Sequence, residues 1–329
     1  MSQTFPVAAA VELAVVERSG FIESRHAGTA IVLAPDGTTA RALGDVEQPV
    51  LPRSSMKPMQ ALACLTAGAA LDGERLGLAT ASHSGTERHV TVVRDILEAA
   101  GLDESALACP AAWPEDGPTR DGLKRELLGP ERVYMNCSGK HAAMLLTCRT
   151  NGWDTATYLD PAHPLQAHIR DLVERLTGSR AVATAVDGCG APVYAMSLSG
   201  LARAIQRVGT SSERSPFALH RAAGALVRAV REHPWTIQGP GMPDTIAAEK
   251  LGVFAKSGAE GVCVMVAPDG TAVALKMLDG SGRAAAVTAL ALLTQAGALP
   301  APQVARVIAE LPLTVSGGGQ KVGVIRPTV

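Results

Sequence analysis

Two stretches decide how this chain is read: Gly28–Gly44, GTAIVLAPDGTTARALG, and Gly261–Leu278, GVCVMVAPDGTAVALKML. Each holds an apolar, β-branched run, a Pro-Asp-Gly turn (Pro35-Asp36-Gly37 or Pro268-Asp269-Gly270) and a second run, which is the pattern of a β-hairpin. One lies near the start of the chain and the other near its end. VELAVVERSG, just before the first, reads as a further strand ending at a glycine turn. If the hairpins pair, both chain ends share one antiparallel sheet and the intervening residues pack against it, an α+β arrangement.

Those intervening residues have helical periodicity. Met59, Leu62 and Leu65 recur at three-residue spacing, and Glu87–Gly101 puts Val90, Val93 and Leu97 on one face before stopping at Gly101. HPLQAHIRDLVERLTG and SPFALHRAAGALVRAVREHP are amphipathic, and GRAAAVTALALLTQAG reads as a helix after the second hairpin. The apolar LGLATA reads as a strand running into a turn, with Ser84 and Glu87 at capping-box spacing before the next helix. With no repeat and no low-complexity linker, residues 1–329 are expected to form one domain. Within it, about 60–255 can form a helical subdomain.

Composition removes several function classes. Apolar residues make up 47% and charged residues 19%, with a net charge of −1 and 3% aromatics. There is no basic patch for nucleic acid and no stacking platform. No apolar run is long enough to span a bilayer, and Met1-Ser2-Gln3-Thr4-Phe5-Pro6 lacks the order of a signal peptide, so a cytoplasmic protein is expected. The six cysteines show no C-x-x-C spacing and are expected to be thiols.

Arg53-Ser54-Ser55-Met56-Lys57-Pro58 supports two readings. A serine caps a helix with Pro58 in its first turn, or Ser54 is a nucleophile whose base, Lys57, stands three residues on along the same face. Lys256-Ser257-Gly258, at the start of an expected edge strand, strengthens the second reading, because enzymes built on Ser-x-x-Lys commonly carry a Lys-Ser/Thr-Gly triplet as well. In Ala81-Ser82-His83-Ser84-Gly85 the small hydroxyls and the histidine are donors for a substrate carboxylate or an oxyanion, and equally an N-cap. Asn136-Cys137-Ser138-Gly139-Lys140-His141 and Asp187-Gly188-Cys189-Gly190 each place a cysteine among glycines. Two thiolates can hold a soft divalent ion such as zinc, with His141 or Asp187 as third ligand. Two free loop thiols are the alternative.

RSSMKPMQAL, ASHSGTERH, NCSGKHAAML, DGCGAP and KLGVFAKSGAEGV occur together and in this order, and the chain thereby resembles the class 3, rhizobial-type L-asparaginases, the asparaginase II domain family, over nearly its whole length. The resemblance implies a serine β-lactamase- or glutaminase-like fold, a homodimer, and hydrolysis of L-asparagine to L-aspartate and ammonia through an acyl-enzyme. It implies two Ser-Lys pairs, Ser54 with Lys57 and Ser82 with Lys256, and zinc held by Cys137, Lys140 and Cys189. Arg53, His83 and Asp187 are the candidates for binding substrate or ordering the serines. Two rival classes remain at this level: a penicillin-recognising serine hydrolase or glutaminase, and a non-catalytic amino-acid-binding protein. Ammonia release from asparagine and glutamine, beside turnover of a chromogenic β-lactam, separates all of them.

Overall fold

The computed structural model describes residues 3–329. The N-terminal strands are β1 (Val11–Arg18), β2 (Phe21–Leu33), β3 (Thr39–Leu43) and β4 (Pro49–Val50). A 3₁₀ turn, Arg53–Met56, runs directly into α1 (Lys57–Thr66), followed by α2 (Gly73–Ala79), α3 (Glu87–Ala99), α4 (Gly117–Arg125), α5 (Ser138–Asn151) and α6 (Pro164–Thr177). The hairpin β5 (Ala183–Val186) and β6 (Pro192–Ser197) precedes α7 (Leu198–Gly209), α8 (Ala218–Glu232) and α9 (Pro243–Leu251). Then come β7 (Phe254–Gly258), β8 (Val262–Val266), β9 (Ala272–Met277), α10 (Ala285–Gln295), α11 (Ala301–Ile308), β10 (Thr314–Gly317) and β11 (Gln320–Pro327).

The two hairpins do pair. The main sheet has the order β10-β11-β1-β2-β9-β8-β7, with β3 also on β2. The joint is the antiparallel β2–β9 ladder, from Gly28 opposite Met277 to Leu33 opposite Ala272. Gly28 is required there, because a Cβ would stand 2.2 Å from the Lys276 carbonyl oxygen. β7 is an edge strand, as expected of the Lys-Ser-Gly segment. The closing hairpin β10–β11, which extends the sheet beyond β1, and the small sheet β4-β6-β5 were not anticipated.

Pleating sends alternate side chains to opposite faces. Ile31, Leu33, Phe254, Val262, Val264 and Ala274 join the core built from α1, α2, α3, α5, α6, α7 and α8. Ala30, Val32, Ala255, Cys263, Met265 and Leu275 face α10 and α11. Both faces are therefore covered, and β8, VCVMV, is buried at every position. Among the described residues no helix is long and apolar enough to cross a membrane.

Two local readings need correction. LGLATA is not a strand: its first four residues, Leu76–Ala79, end the helix α2 and are buried because α3, α5 and α8 pack on that helix. A continuous apolar run has no period by which helix and strand are told apart. The cap of α3 is Thr86 with His89, not Ser84 with Glu87. The Thr86 hydroxyl accepts the His89 N–H, and His89 Nδ1 accepts the Thr86 N–H. A histidine here takes the place a Glu or Gln side chain holds in the usual capping box.

Candidate active site

The site forms where the loop between α2 and α3 meets the start of α1, the start of α5 and the edge strand β7. Backbone bonds hold the loop: Ser82 N–H donates to Ile237 O at 2.8 Å, His83 N–H to Asn136 O at 3.1 Å and Ser84 N–H to Gln238 O at 2.6 Å. The Ser82 hydroxyl sits between two lysines. Lys57 Nζ, from α1, and Lys256 Nζ, from β7, each lie 2.9 Å from Ser82 Oγ. Both lysine side chains are fully buried.

Each amine also has carbonyl partners. Lys57 Nζ donates to Ala81 O and reaches Asn136 O at 3.5 Å, while Lys256 Nζ donates to Ser257 O at 2.7 Å. An ammonium has three N–H donors, and a buried one needs acceptors for them. Two carbonyls and the Ser82 hydroxyl supply Lys57 with three. This explains why Lys57 reaches across to Ser82 and does not bond Ser54, three residues away in its own turn. Ser54 instead touches α1 through its backbone, its carbonyl accepting the Lys57 N–H. The structure thus gathers Lys57, Lys256 and Ser82 into one cluster and leaves Ser54 half-buried beside it.

Burial pushes Lys256 down to about 8. The carboxylate of Asp244 opposes that shift, and the charge of Lys57 adds to it. An amine poised there holds an appreciable neutral fraction near neutral pH and can accept a serine proton.

Arg53 occupies the left-handed region at φ +53°. A non-glycine residue held there is strained, which requires strong surroundings. Its Nε donates to Asp187 Oδ1 at 2.7 Å, and its Nη1 stands 4.0 Å from Glu260. Gly258 makes the turn's position possible, since a Cβ there would lie 2.7 Å from Pro52 O and 3.2 Å from the Ser54 and Ser55 nitrogens. Asp187 comes from the β5–β6 turn, where its N–H donates to Ala191 O and its carbonyl accepts the Gly190 N–H. Burial would raise its carboxyl, yet Lys140 and Arg53 hold it below the usual range. A cavity of about 470 Å³ borders the site through Arg53 and includes Glu260, Lys276 and Leu51, but neither Ser54 nor Ser82 lines it.

His83 departs from the carboxylate-binding role. Its Nε2–H donates to Ser138 Oγ at 2.8 Å, and its Nδ1 accepts the Gly85 N–H at 3.2 Å. Burial holds it well below the ordinary histidine range, with His89 and Lys57 adding to the effect. A neutral ring with both nitrogens engaged offers no charge to a substrate, and its effect is to stiffen the loop that carries Ser82.

Cys137, Lys140 and Cys189 also come together. Lys140 Nζ lies 3.1 Å from Cys189 Sγ, and the Cys137 thiol beside them donates to Asn136 Oδ1 at 3.2 Å. The neighbouring Cys137, with Lys140, pushes Cys189 down to about 5, and Cys189 and burial push Cys137 up. Burial would lower Lys140, but the two cysteines and Asp187 outweigh it and hold the amine above its ordinary value. Among the described residues no three His, Cys, Asp or Glu side chains group as a metal site. The convergence is of two sulfurs and a lysine nitrogen, a donor set that suits zinc once a metal displaces the lysine proton. His141, in the same helical turn, points Nδ1 at the Tyr158 hydroxyl, 2.6 Å away, and burial pushes it down to about 3. Sequence spacing placed these residues on loops, whereas Lys140 and His141 lie in the first turn of α5, capped by Cys137.

Asp244 was missed. It is fully buried at the start of α9, and its two carboxylate oxygens accept the Ser257 N–H at 2.6 Å and the Ser257 hydroxyl at 2.7 Å. Pro243-Asp244 reads as an ordinary helix start, so no local signal distinguishes it.

No curated protein sequence matches the chain. Among solved structures it is similar to Mglu in its native form, with TM-score 0.46 and 13% identity, covering 82% of this chain and 64% of that one. It therefore spans a little under two thirds of Mglu. It is also similar to a β-lactamase from Mycobacterium bovis (TM-score 0.43, 18% identity, 82% and 94% covered). A probable glutaminase from Bacillus subtilis, complexed with 6-diazo-5-oxo-L-norleucine, gives 0.35 and 15%, with 82% of each chain covered. These scores all fall below 0.5, so the α+β class rests on the strand order and covered sheet faces described above. The family profile of L-asparaginase II matches residues 14–327, and the chain belongs to that amidohydrolase family.

Proposed function

We propose that the protein hydrolyses the side-chain amide of L-asparagine to L-aspartate and ammonia, with Ser82 as nucleophile and Lys256 and Lys57 as its proton-handling pair. The observation that carries this reading is the placement of both amine nitrogens 2.9 Å from the one hydroxyl. With Lys256 neutral, its lone pair takes the Ser82 proton as Oγ bonds to the amide carbon and the C=O electrons move to oxygen. Collapse of that adduct re-forms the carbonyl and breaks the C–N bond, and the lysinium returns its proton to the departing nitrogen, which leaves as ammonia. Water then adds to the ester, again giving a proton to the amine. Loss of the serine oxygen, which takes that proton back, releases aspartate. The charge of Lys57 beside the hydroxyl favours the neutral form of Lys256 and the developing serine alkoxide.

Arg53, fixed by Asp187, is the cation in this reading for the substrate's α-carboxylate. Ser54 is a neighbouring hydroxyl that can order substrate or water. Cys137, Lys140 and Cys189 would hold zinc, which when bound supplies a fixed positive charge. The twofold assembly that the family resemblance implies belongs to the same reading, and static light scattering tests it, a monomer mass removing it.

The deciding experiment measures ammonia release from L-asparagine and L-glutamine side by side, in wild type and Ser82→Ala. Release from asparagine at a much higher kcat/KM, abolished in Ser82→Ala, is expected. Equal kcat/KM for the two amides removes the substrate assignment, and an active Ser82→Ala removes the nucleophile.

A further inference from the structure

Lys256 and Ser82 are joined by a second route besides their own hydrogen bond. Asp244 holds Ser257 by both its N–H and its hydroxyl, and Ser257 is the residue after Lys256 on the edge strand β7. Asp244 N–H donates to the side-chain oxygen of Gln238 at 2.9 Å. Gln238 O accepts the Ser84 N–H, and the neighbouring Ile237 O accepts the Ser82 N–H. The path Lys256–Ser257–Asp244–Gln238/Ile237–Ser82 therefore closes a ring around the reacting hydroxyl. An edge strand has a ladder partner on one side only, here β8. The Asp244 carboxylate supplies bonds on the free side, at the residue where the lysine needs a fixed direction.

We propose that Asp244 is a positioning residue for the Ser82 site: its buried carboxylate clamps Ser257, thereby aims Lys256 at the Ser82 hydroxyl, and supplies a counter-charge to Lys256. The inference rests on the Ser82–Lys256 reading above. The ionisable groups around Lys256 are Asp244 from α9, Lys57 from α1, Cys137 at the start of α5 and Cys263 on β8. Among these, Asp244 is the carboxylate, and it opposes the lowering of Lys256 that burial and Lys57 produce. Removing its charge while keeping its shape therefore moves Lys256 further down.

The test is Asp244→Asn in the full chain, followed by asparagine hydrolysis across pH and by thermal unfolding. A misaimed base costs on the order of a hundredfold in kcat. The variant is expected to unfold cooperatively, to lose about that much kcat with KM little changed, and to show the acidic limb of its kcat/KM profile at lower pH than wild type. A merely structural carboxylate would lower Tm and leave the limb in place. That outcome, or near-normal kcat, overturns the proposal. Ser257→Ala, which keeps the carboxylate and removes one of its two bonds, covers the case in which Asp244→Asn does not fold. It is expected to lose roughly tenfold in kcat, and wild-type kcat in it also overturns the proposal. Failure of the underlying reading shows elsewhere, as activity retained in Ser82→Ala or Lys256→Ala.

Discussion

Lys57 and Lys256 come from opposite ends of the chain, one on a helix and one on an edge strand, and place their amines at the same 2.9 Å distance from Ser82 Oγ. Both are fully buried. The charge of Lys57 beside the hydroxyl adds to burial in disfavouring protonation of Lys256, and the charge state of Lys256 governs what the hydroxyl can do.

The serines are therefore predicted to be unequal. Ser82→Ala is expected to lose at least about a thousandfold in kcat, as removal of a nucleophile does. Ser54→Ala, which removes a hydroxyl that bonds neither lysine amine, is expected to lose less, about ten- to a hundredfold. Single-turnover kinetics with mass spectrometry of the acylated chain checks this. A covalent adduct formed by Ser82→Ala but not by Ser54→Ala would reverse the two roles.

Lys256, pushed down to about 8, sets the expected pH dependence. The base acts when neutral, so kcat/KM is expected to rise with pH and level off near 8, falling about tenfold per pH unit on the acid side. A profile flat from pH 6 to 9 (roughly the range in which this group titrates) removes Lys256 as the base.

The same shift has a stability consequence. The folded-state pKa of Lys256 lies below its ordinary 10.5, so the unfolded chain binds more protons between about 8 and 10.5. Stability contributed by this group rises with pH across that window, and below about 8 its penalty is fully present. Lys256→Met removes the penalty. Its Tm relative to wild type is expected to be more favourable near pH 6 than near pH 10, and a pH-independent difference would count against a buried, shifted lysine.

Zinc content is expected to follow the S₂N set. Elemental analysis of purified wild type should find the metal. Cys137→Ala and Lys140→Ala should lose it, and His141→Ala should retain it, because Lys140 is the residue whose nitrogen lies against the Cys189 sulfur. Loss in His141→Ala with retention in Lys140→Ala would exchange the two residues' roles.

Gly258→Ala is expected to act on the site through the backbone. The added Cβ meets Pro52 O at 2.7 Å and displaces the turn that carries Arg53 and Ser54. KM for asparagine should rise, with Tm lowered by a few degrees, as for a cost of about 1 kcal/mol. Unchanged KM would show that Arg53 does not touch substrate.

The sheet was legible in the sequence because its signals are local. Pro35-Asp36-Gly37 and Pro268-Asp269-Gly270 declare turns, the β-branched runs beside them declare strands, and α+β follows from where the hairpins fall. LGLATA was misread because a segment buried at every position carries no amphipathic period, and the cap at Thr86 was missed because its partner is a histidine.

The residue types of the site were equally legible, since Ser-x-x-Lys, Lys-Ser-Gly and the two glycine-flanked cysteines are short motifs. Their partnerships were not. Spacing pairs Ser54 with Lys57, but the fold turns Lys57 toward Ser82, where Ala81 O and Asn136 O complete its three acceptors. Spacing also leaves His83 free to meet substrate, whereas burial and the Ser138 hydroxyl keep it neutral and occupied. Asp244 carries no signal at all until β7 and α9 are side by side. A motif records which groups are available within a few residues. Which of them meet is decided by the need of each buried donor and charge for a partner, and those partners lie up to 174 residues away along the chain.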